Sequence, residues 1–234
     1  MTRRIVLDTE TTGLDPAQGH RVIEIGCVEL VGRQLTERRF HTYINPERDI
    51  DVGAMQVHGI TNERVVGEPV FAAIAAEFIA FVRDAELVIH NAPFDVGFLD
   101  AELALLGLGK VKEVCAGVTD TLKMAREMRP GKRNSLDALC KDFGIDNSGR
   151  QLHGALLDAE LLAEVYLAMT RGQESLMMDL DAPAAAAVAL PAGKRAPLRV
   201  LRAGAAELAE HERVLKEIAK ESKGKCLWLS EPAG

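Results

Sequence analysis

Between Asp181 and Pro197, eight alanines and three prolines fill 11 of 17 positions, and no aromatic residue occurs. Proline has no N–H to donate and clashes with the preceding turn, so prolines at 183, 191 and 197 break any continuous helix there. Alanine is too small to build a core of its own. The stretch 181–197 therefore reads as a flexible linker. Any sizeable core has to come from the residues before it, and the segment after it has to find its partner elsewhere. In that segment, 198–234, Leu208, His211/Glu212, Leu215 and Ile218/Ala219 recur at spacings of three and four, which predicts one amphipathic helix over 205–222. A lone helix cannot bury its own apolar stripe and is marginal in water. With the nearby Trp228, the tail predicts a docking element.

Upstream, the stretch 1–172 alternates between strand-like and helix-like patterns. Arg4–Asp8, Val22–Leu30, Phe40–Ile44 and Glu86–His90 read as strands. Pro69 suits the first turn of a helix whose apolar face is Phe71, Ile74, Phe78 and Val82. Further helices are predicted over Asp95–Leu106, from a Ser135 cap to about Gly144, and from about Gly154 to Met169. Strands followed by alternating helix and strand give an α/β fold with a mixed sheet and flanking helices.

Charge narrows the functional classes. The formal net charge of −7 belongs entirely to residues 1–172, which hold 26 acids against 19 bases. Such a domain lacks the basic footprint of a general nucleic-acid binder, so a polyanionic substrate requires bound cations to offset repulsion. Aromatic residues are only 4%, which disfavours a stacking platform for single strands. No run of 18 apolar residues is present, so no membrane span is expected. The four cysteines are far apart with no CxxC pair, as expected of reduced thiols in a cytoplasmic protein rather than a zinc site or disulfide framework.

Three short segments carry the chemistry. In Leu7-Asp8-Thr9-Glu10-Thr11-Thr12-Gly13, strand alternation puts Asp8 and Glu10 on one face, where two carboxylates repel unless a cation lies between them. Alone, such a pair is also compatible with a strand end meeting solvent. In His90-Asn91-Ala92-Pro93-Phe94-Asp95 an acid stands at the start of a helix, a favourable place for any carboxylate. In His153-Gly154-Ala155-Leu156-Leu157-Asp158, the spacing of five places His153 on the approach and Asp158 within an otherwise apolar helical segment, where a carboxylate needs a partner or a metal. Asp8, Glu10, Asp95 and Asp158 make a hard-oxygen set suited to Mg²⁺ or Mn²⁺. Two such ions about 4 Å apart clamp the attacking and leaving oxygens of a phosphoryl displacement. A nearby histidine can accept the proton of the attacking water. The combined reading is metal-assisted phosphodiester hydrolysis.

In their order and content, these segments resemble the three exonuclease motifs of the DEDD superfamily, and the histidine spacing resembles its His branch. More narrowly, Pro130-Gly131-Lys132-Arg133-Asn134-Ser135-Leu136-Asp137-Ala138-Leu139-Cys140 and the ending Cys226-Leu227-Trp228 are similar to the epsilon-subunit family, the proofreading exonucleases of bacterial DNA polymerase III. The resemblance implies a ribonuclease-H-like, five-stranded mixed sheet flanked by helices, and 3′→5′ hydrolysis of a DNA strand from its 3′ end. It implies that Asp8 bridges two divalent ions, Glu10 and Asp158 bind the hydrolytic one, Asp95 holds the second, and His153 is the general base. Asp8, Glu10 and Asp158 would also face the substrate. Thr11 and Thr12 would offer backbone N–H groups to the terminal nucleotide, Leu14 would wedge against its base, and His58 in Val57-His58-Gly59-Ile60 would line its pocket. Arg126, Arg129, Lys132 and Arg133 either meet the strand's phosphates or form a solvated charge run.

Two partners follow from the same resemblance. The tail, with Leu208, Leu215, Ile218 and Trp228, would bind the polymerase's alpha subunit. Residues 173–180 resemble glutamine-leading clamp peptides, with Gln173, Leu176 and Met178 as contacts, and the missing terminal Phe implies weak binding to the sliding clamp. The alternatives are a stand-alone exonuclease of the same branch acting on RNA, and an adaptor with a vestigial site. The linker and tail argue against the first, and the intact acids and histidine against the second.

Overall fold

The apolar run Ile5-Val6-Leu7 has no exposed face, so the strand that carries it needs cover on both sides. In the computed structural model, which describes residues 2–149, 152–171, 203–222 and 228, that strand is β1 (Arg3–Thr11), the centre of a five-stranded sheet. It pairs antiparallel with β2 (Val22–Val31) and parallel with a later strand, Glu86–Ile89. The remaining strands are β3 (Gln34–Tyr43), then β4 (Glu86–Ile89) and β5 (Gly117–Asp120), in the order β3-β2-β1-β4-β5. The helices are α1 (Val52–His58), α2 (Asn62–Val65), α3 (Phe71–Val82), α4 (Ala92–Leu105), α5 (Val111–Val114), α6 (Thr121–Met128), α7 (Leu136–Phe143) and α8 (Ala155–Met169).

Alternation along β1 divides the core in two. Ile5 and Leu7 join Ile25, Phe71, Phe78, Phe98 and Leu99, so α3 and α4 cover one face. Val6 joins Val28, Leu30, Leu139, Leu162 and Val165, so α7 and α8 cover the other. At the end of α8, the Arg33 guanidinium from the β2–β3 turn donates to the Leu167 carbonyl at 2.6 Å and to Thr170 Oγ1 at 2.8 Å. These bonds satisfy carbonyl and hydroxyl groups at a helix end that has no intrahelical donors left.

Several boundaries differ from the sequence reading. β1 runs on to Thr11, so Asp8 is not its last residue and Glu10 also lies within the strand. β3 starts at Gln34, well before Phe40, because this edge strand is polar where it faces solvent and its alternation is hidden. Pro69 precedes the Val70 cap of α3 and is not in its first turn. Four residues of β5 and the short α1, α2, α5 and α6 carry too little periodicity to announce themselves. Ser135 does cap α7, accepting from the Ala138 N–H, and Gly144 closes it in the left-handed conformation.

The chain divides into two units, with the boundary at Asp181/Ala182. Within the second, α9 (Ala205–Glu221) forms where the amphipathic run predicts it. Its Glu207 side chain reaches back to accept a hydrogen bond from the Gly204 N–H, closing the first turn. Arg213 pairs with Glu210 and Glu217 along the helix surface. No residue of α9 is buried, and Leu208, Ile218 and, further on, Trp228 are exposed. Gln173, Leu176, Met178 and the linker 181–197 lie outside the described residues. Among the described residues no helix is long and apolar enough to cross a membrane.

Candidate active site

Asp8 and Glu10 project from β1 toward the face covered by α8, and their cross-strand partners on β2 are Gly26 and Glu24. Asp95 enters from the first turn of α4, after Asn91 takes a left-handed turn at φ 67°. Its Oδ1 accepts from the Thr9 hydroxyl at 2.7 Å and from the Thr9 N–H at 3.1 Å. Burial raises the Asp95 pKa to about 7 despite those bonds, and the nearby Asp120 adds repulsion. A carboxyl kept from ionising in this way is a group that a cation would stabilise.

Asp158 stands in the first turn of α8, buried, and its Oδ2 is 3.3 Å from Nδ1 of the half-exposed His153. His153 itself precedes the helix, with its backbone N–H bonded to the Val57 carbonyl at 3.2 Å. Glu10, His153 and Asp158 each offer one donor atom, all within 4.8 Å of one another. Asp8, His90 and His153 form a wall shared by two cavities. One, of about 660 Å³, includes Asp158, Arg126, Lys132 and Asn134; the other, of about 530 Å³, includes Glu10, Asp95, Thr11, Leu14 and His58. Three chain segments thus converge on one place, and the set is oxygen-rich. Cys27 lies close enough to feel Asp8 and Asp95, but burial first and these charges second push its thiol pKa well up, so it offers no thiolate. The donors suit a divalent cation of the hard class.

The second cavity holds two of the residues expected to line a nucleoside pocket, Leu14 and His58. Leu14 stands at its rim, 85% exposed. His58 is buried, and its Nδ1 accepts from the Ile60 N–H at 3.0 Å, which places the neutral ring's proton on Nε2. Burial lowers the His58 pKa, with the Thr11 backbone and Glu24 acting in the opposite sense. Thr12 has a different task from the one expected of it. Its N–H donates to the Arg21 carbonyl at 2.9 Å, and its hydroxyl accepts from the Arg21 N–H and meets His20 Nδ1. The Thr12 N–H is therefore committed to the loop after β1, and of the two threonines only Thr11 lines the cavity.

Lys132 continues from the first cavity into a third, lined also by Arg129, Arg133 and Lys141, although Arg129 is ion-paired with Asp142. Sequence reasoning passed over two residues, one in the wall of the site and one beside it. His90, whose Nδ1 is 3.0 Å from Thr121 Oγ1, belongs to the shared wall. Glu24 interrupts the apolar strand Val22-Ile23-Glu24-Ile25 and is only 3% exposed. A carboxylate in such a run was the signal available for it.

Comparison with known proteins agrees with this geometry. A family model described as an exonuclease matches residues 5–166. DNA polymerase III subunit epsilon of Pasteurella multocida is 52% identical over 97% of this chain and 93% of its own length. The subunit of the same name from Escherichia coli strain K12 is 49% identical over 97% and 98%. Among solved structures, exonuclease X in complex with 5′ overhanging duplex DNA aligns at a TM-score of 0.57 and 25% identity, over 71% of this chain and 90% of that one. Exonuclease I of Escherichia coli bound to single-stranded DNA aligns at 0.66 over 75% of this chain and 42% of that one, and at 19% identity it shows the fold alone. With its three acidic segments folded to one site, the chain belongs to the exonuclease family and, within it, to the epsilon subunits of DNA polymerase III.

Proposed function

We propose that the chain hydrolyses the 3′-terminal phosphodiester of a DNA strand and releases 5′-mononucleotides, as the proofreading subunit of a cytoplasmic replicative polymerase. The observation that carries this reading is the shared wall of Asp8, His90 and His153 between a nucleoside-sized cavity and a second one rimmed by Arg126 and Lys132. A terminal nucleoside in the cavity of Leu14 and His58 leaves its scissile phosphate at that wall and the rest of the strand over the basic rim. The names and extent of the relatives favour DNA over RNA as substrate.

In this reading Asp8, Glu10 and Asp158 would hold one divalent ion, and Asp8 with Asp95 a second, Mg²⁺ or Mn²⁺ in either place. When bound, the ions supply charge neutralisation at the phosphate and lower the pKa of water. The rest is done by the chain. Thr9 fixes the Asp95 carboxylate with two hydrogen bonds. The Asp158 carboxylate orients the His153 ring. His153 accepts a proton from the attacking water as the new O–P bond forms, the bond from phosphorus to the 3′-oxygen of the penultimate nucleotide breaks, and that oxygen takes a proton from solvent. Leu14 and His58 hold the departing nucleoside.

The tail and the segment 173–180 supply the partners in the same reading. The exposed Leu208, Ile218 and Trp228, with the half-buried Leu215 between them, would dock on the alpha subunit. Gln173, Leu176 and Met178 would contact the sliding clamp weakly. The test is co-purification of the full chain with its host's replicative polymerase, followed by assay on a 3′-mispaired primer. Removal of the mispaired nucleotide is expected, and its persistence overturns the reading.

A further inference from the structure

We propose that Glu24 is a positioning residue of this nuclease: its carboxylate hooks the first turn of α8 onto β2 and so sets where His153 and Asp158 stand opposite Glu10. The inference rests on the hydrolytic reading above and adds a residue that the acidic motifs do not contain.

A carboxylate that is 3% exposed in an apolar strand is costly unless hydrogen bonds and positive charge surround it. Glu24 has both. Its Oε2 accepts from the Ala155 N–H at 3.1 Å, and Ala155 is the first residue of α8. The first N–H groups of a helix have no partner within it, and they form the positive end of its dipole. The N-cap residue is Gly154, which has no side chain to meet them. Glu24 does so from another element. Its Oε1 is in turn 2.7 Å from His41 Nε2, and Tyr43, its ladder partner on β3, lies under the Arg64 guanidinium at 3.9 Å from the ring centroid. The hook is therefore braced on the side away from the helix.

A second device acts two residues along β2. A Cβ at Gly26 would lie 2.2 Å from the Ala155 carbonyl carbon and the Leu156 nitrogen, so the start of α8 rests directly on the strand backbone. Gly26 and Glu24 are also the ladder partners of Asp8 and Glu10. The acids of β1 and the residues carried by α8 are thus referenced to the same two positions on β2. His153 lies two residues before the hooked N–H, and Asp158 three after it. Displacement of a reacting group by about 1 Å costs on the order of 10²-fold in rate. A residue that fixes the start of α8 accordingly acts on turnover and cation affinity, while the nucleoside cavity, to whose lining this segment contributes His153 alone, keeps most of its affinity.

The test uses the full chain with Glu24→Ala, Glu24→Gln and His41→Ala. It measures kcat and KM on a single-stranded primer, and Mn²⁺ affinity by isothermal titration calorimetry. For Glu24→Ala, kcat is expected to fall about 10- to 100-fold with KM within about 3-fold, and Mn²⁺ affinity to fall at least about 5-fold. Glu24→Gln keeps an oxygen for the Ala155 N–H and is expected to restore both to within about 3-fold of wild type. Wild-type kcat and Mn²⁺ affinity in folded Glu24→Ala overturn the proposal. So does Glu24→Gln behaving as badly as Glu24→Ala, which assigns the effect to charge and not to the hook. Should Glu24→Ala not fold, His41→Ala decides: a drop in both kcat and Mn²⁺ affinity supports the hook, and unchanged values overturn it. If the wild-type chain hydrolyses no primer, the functional reading falls, while the calorimetric comparison still tests the hook.

Discussion

Nδ1 of His153 stands 3.3 Å from Oδ2 of Asp158, so one of the four acids also orients the only imidazole of the third motif. Only a neutral imidazole accepts a proton. His153→Ala is expected to lower kcat by about 10²–10⁴-fold and to abolish the acidic limb of the pH–rate profile. Retention of that limb in the variant assigns the base to another group.

Asp8 lines both cavities and sits amid carboxylates, so its removal relieves repulsion in the metal-free protein while it empties the centre of the site. Asp8→Ala is expected to lose primer hydrolysis in Mg²⁺ and to keep its melting temperature in EDTA within a few degrees of wild type, or above it. Hydrolysis at the wild-type rate would sink the assignment.

The buried His58 gives the pH dependence of stability a definite sign. Burial holds its pKa below 6.5 in the folded chain, so just below pH 6.5 the unfolded chain binds a proton that the folded chain does not. The stability that depends on neutral His58 is complete above pH 6.5 and is lost as pH falls through the lower, native value. His58→Gln, compared with wild type in EDTA between pH 7.5 and 5, is expected to show a shallower fall of melting temperature. Identical slopes would remove His58 from the acid response.

A chain truncated after Arg171 is expected to keep its kcat on single strands but to elute apart from the polymerase in size-exclusion chromatography. A peptide of residues 198–234 is expected to bind the polymerase alone and to shift the fluorescence of Trp228. Co-elution of the truncated chain at micromolar concentration would end the docking role of the tail.

What could be read in the sequence was whatever has a short-range signature. Asp8 and Glu10 come straight after the apolar run Ile5-Val6-Leu7, and Asp158 interrupts an apolar helical segment, so all three stand out as carboxylates that burial would penalise. The pattern of α9 is legible because spacing alone makes an amphipathic helix. What was hidden depends on contacts between distant residues. Glu24 reaches Ala155 across 131 positions, and nothing near Glu24 in sequence names its partner. Thr12 is expected beside the nucleotide from its place in the Asp8-Thr9-Glu10-Thr11-Thr12-Gly13 motif. The turn that brings Arg21 back to its N–H becomes visible only once the chain is folded. β5 escaped notice because four residues cannot establish a period of two.

The clasp of Arg33 on Leu167 and Thr170 has a mechanical meaning. Thr170 is the C-cap of α8, so any force that displaces the foot of α8 meets this clasp first. His153 and Asp158 belong to the opposite end of that helix, about four turns away. With three hydrogen bonds from the hairpin turn holding that foot, the load passes into the β2–β3 edge of the sheet before it can travel along the helix. Arg33 is in that sense a mooring: it ties the far end of the helix that carries Asp158 to the sheet.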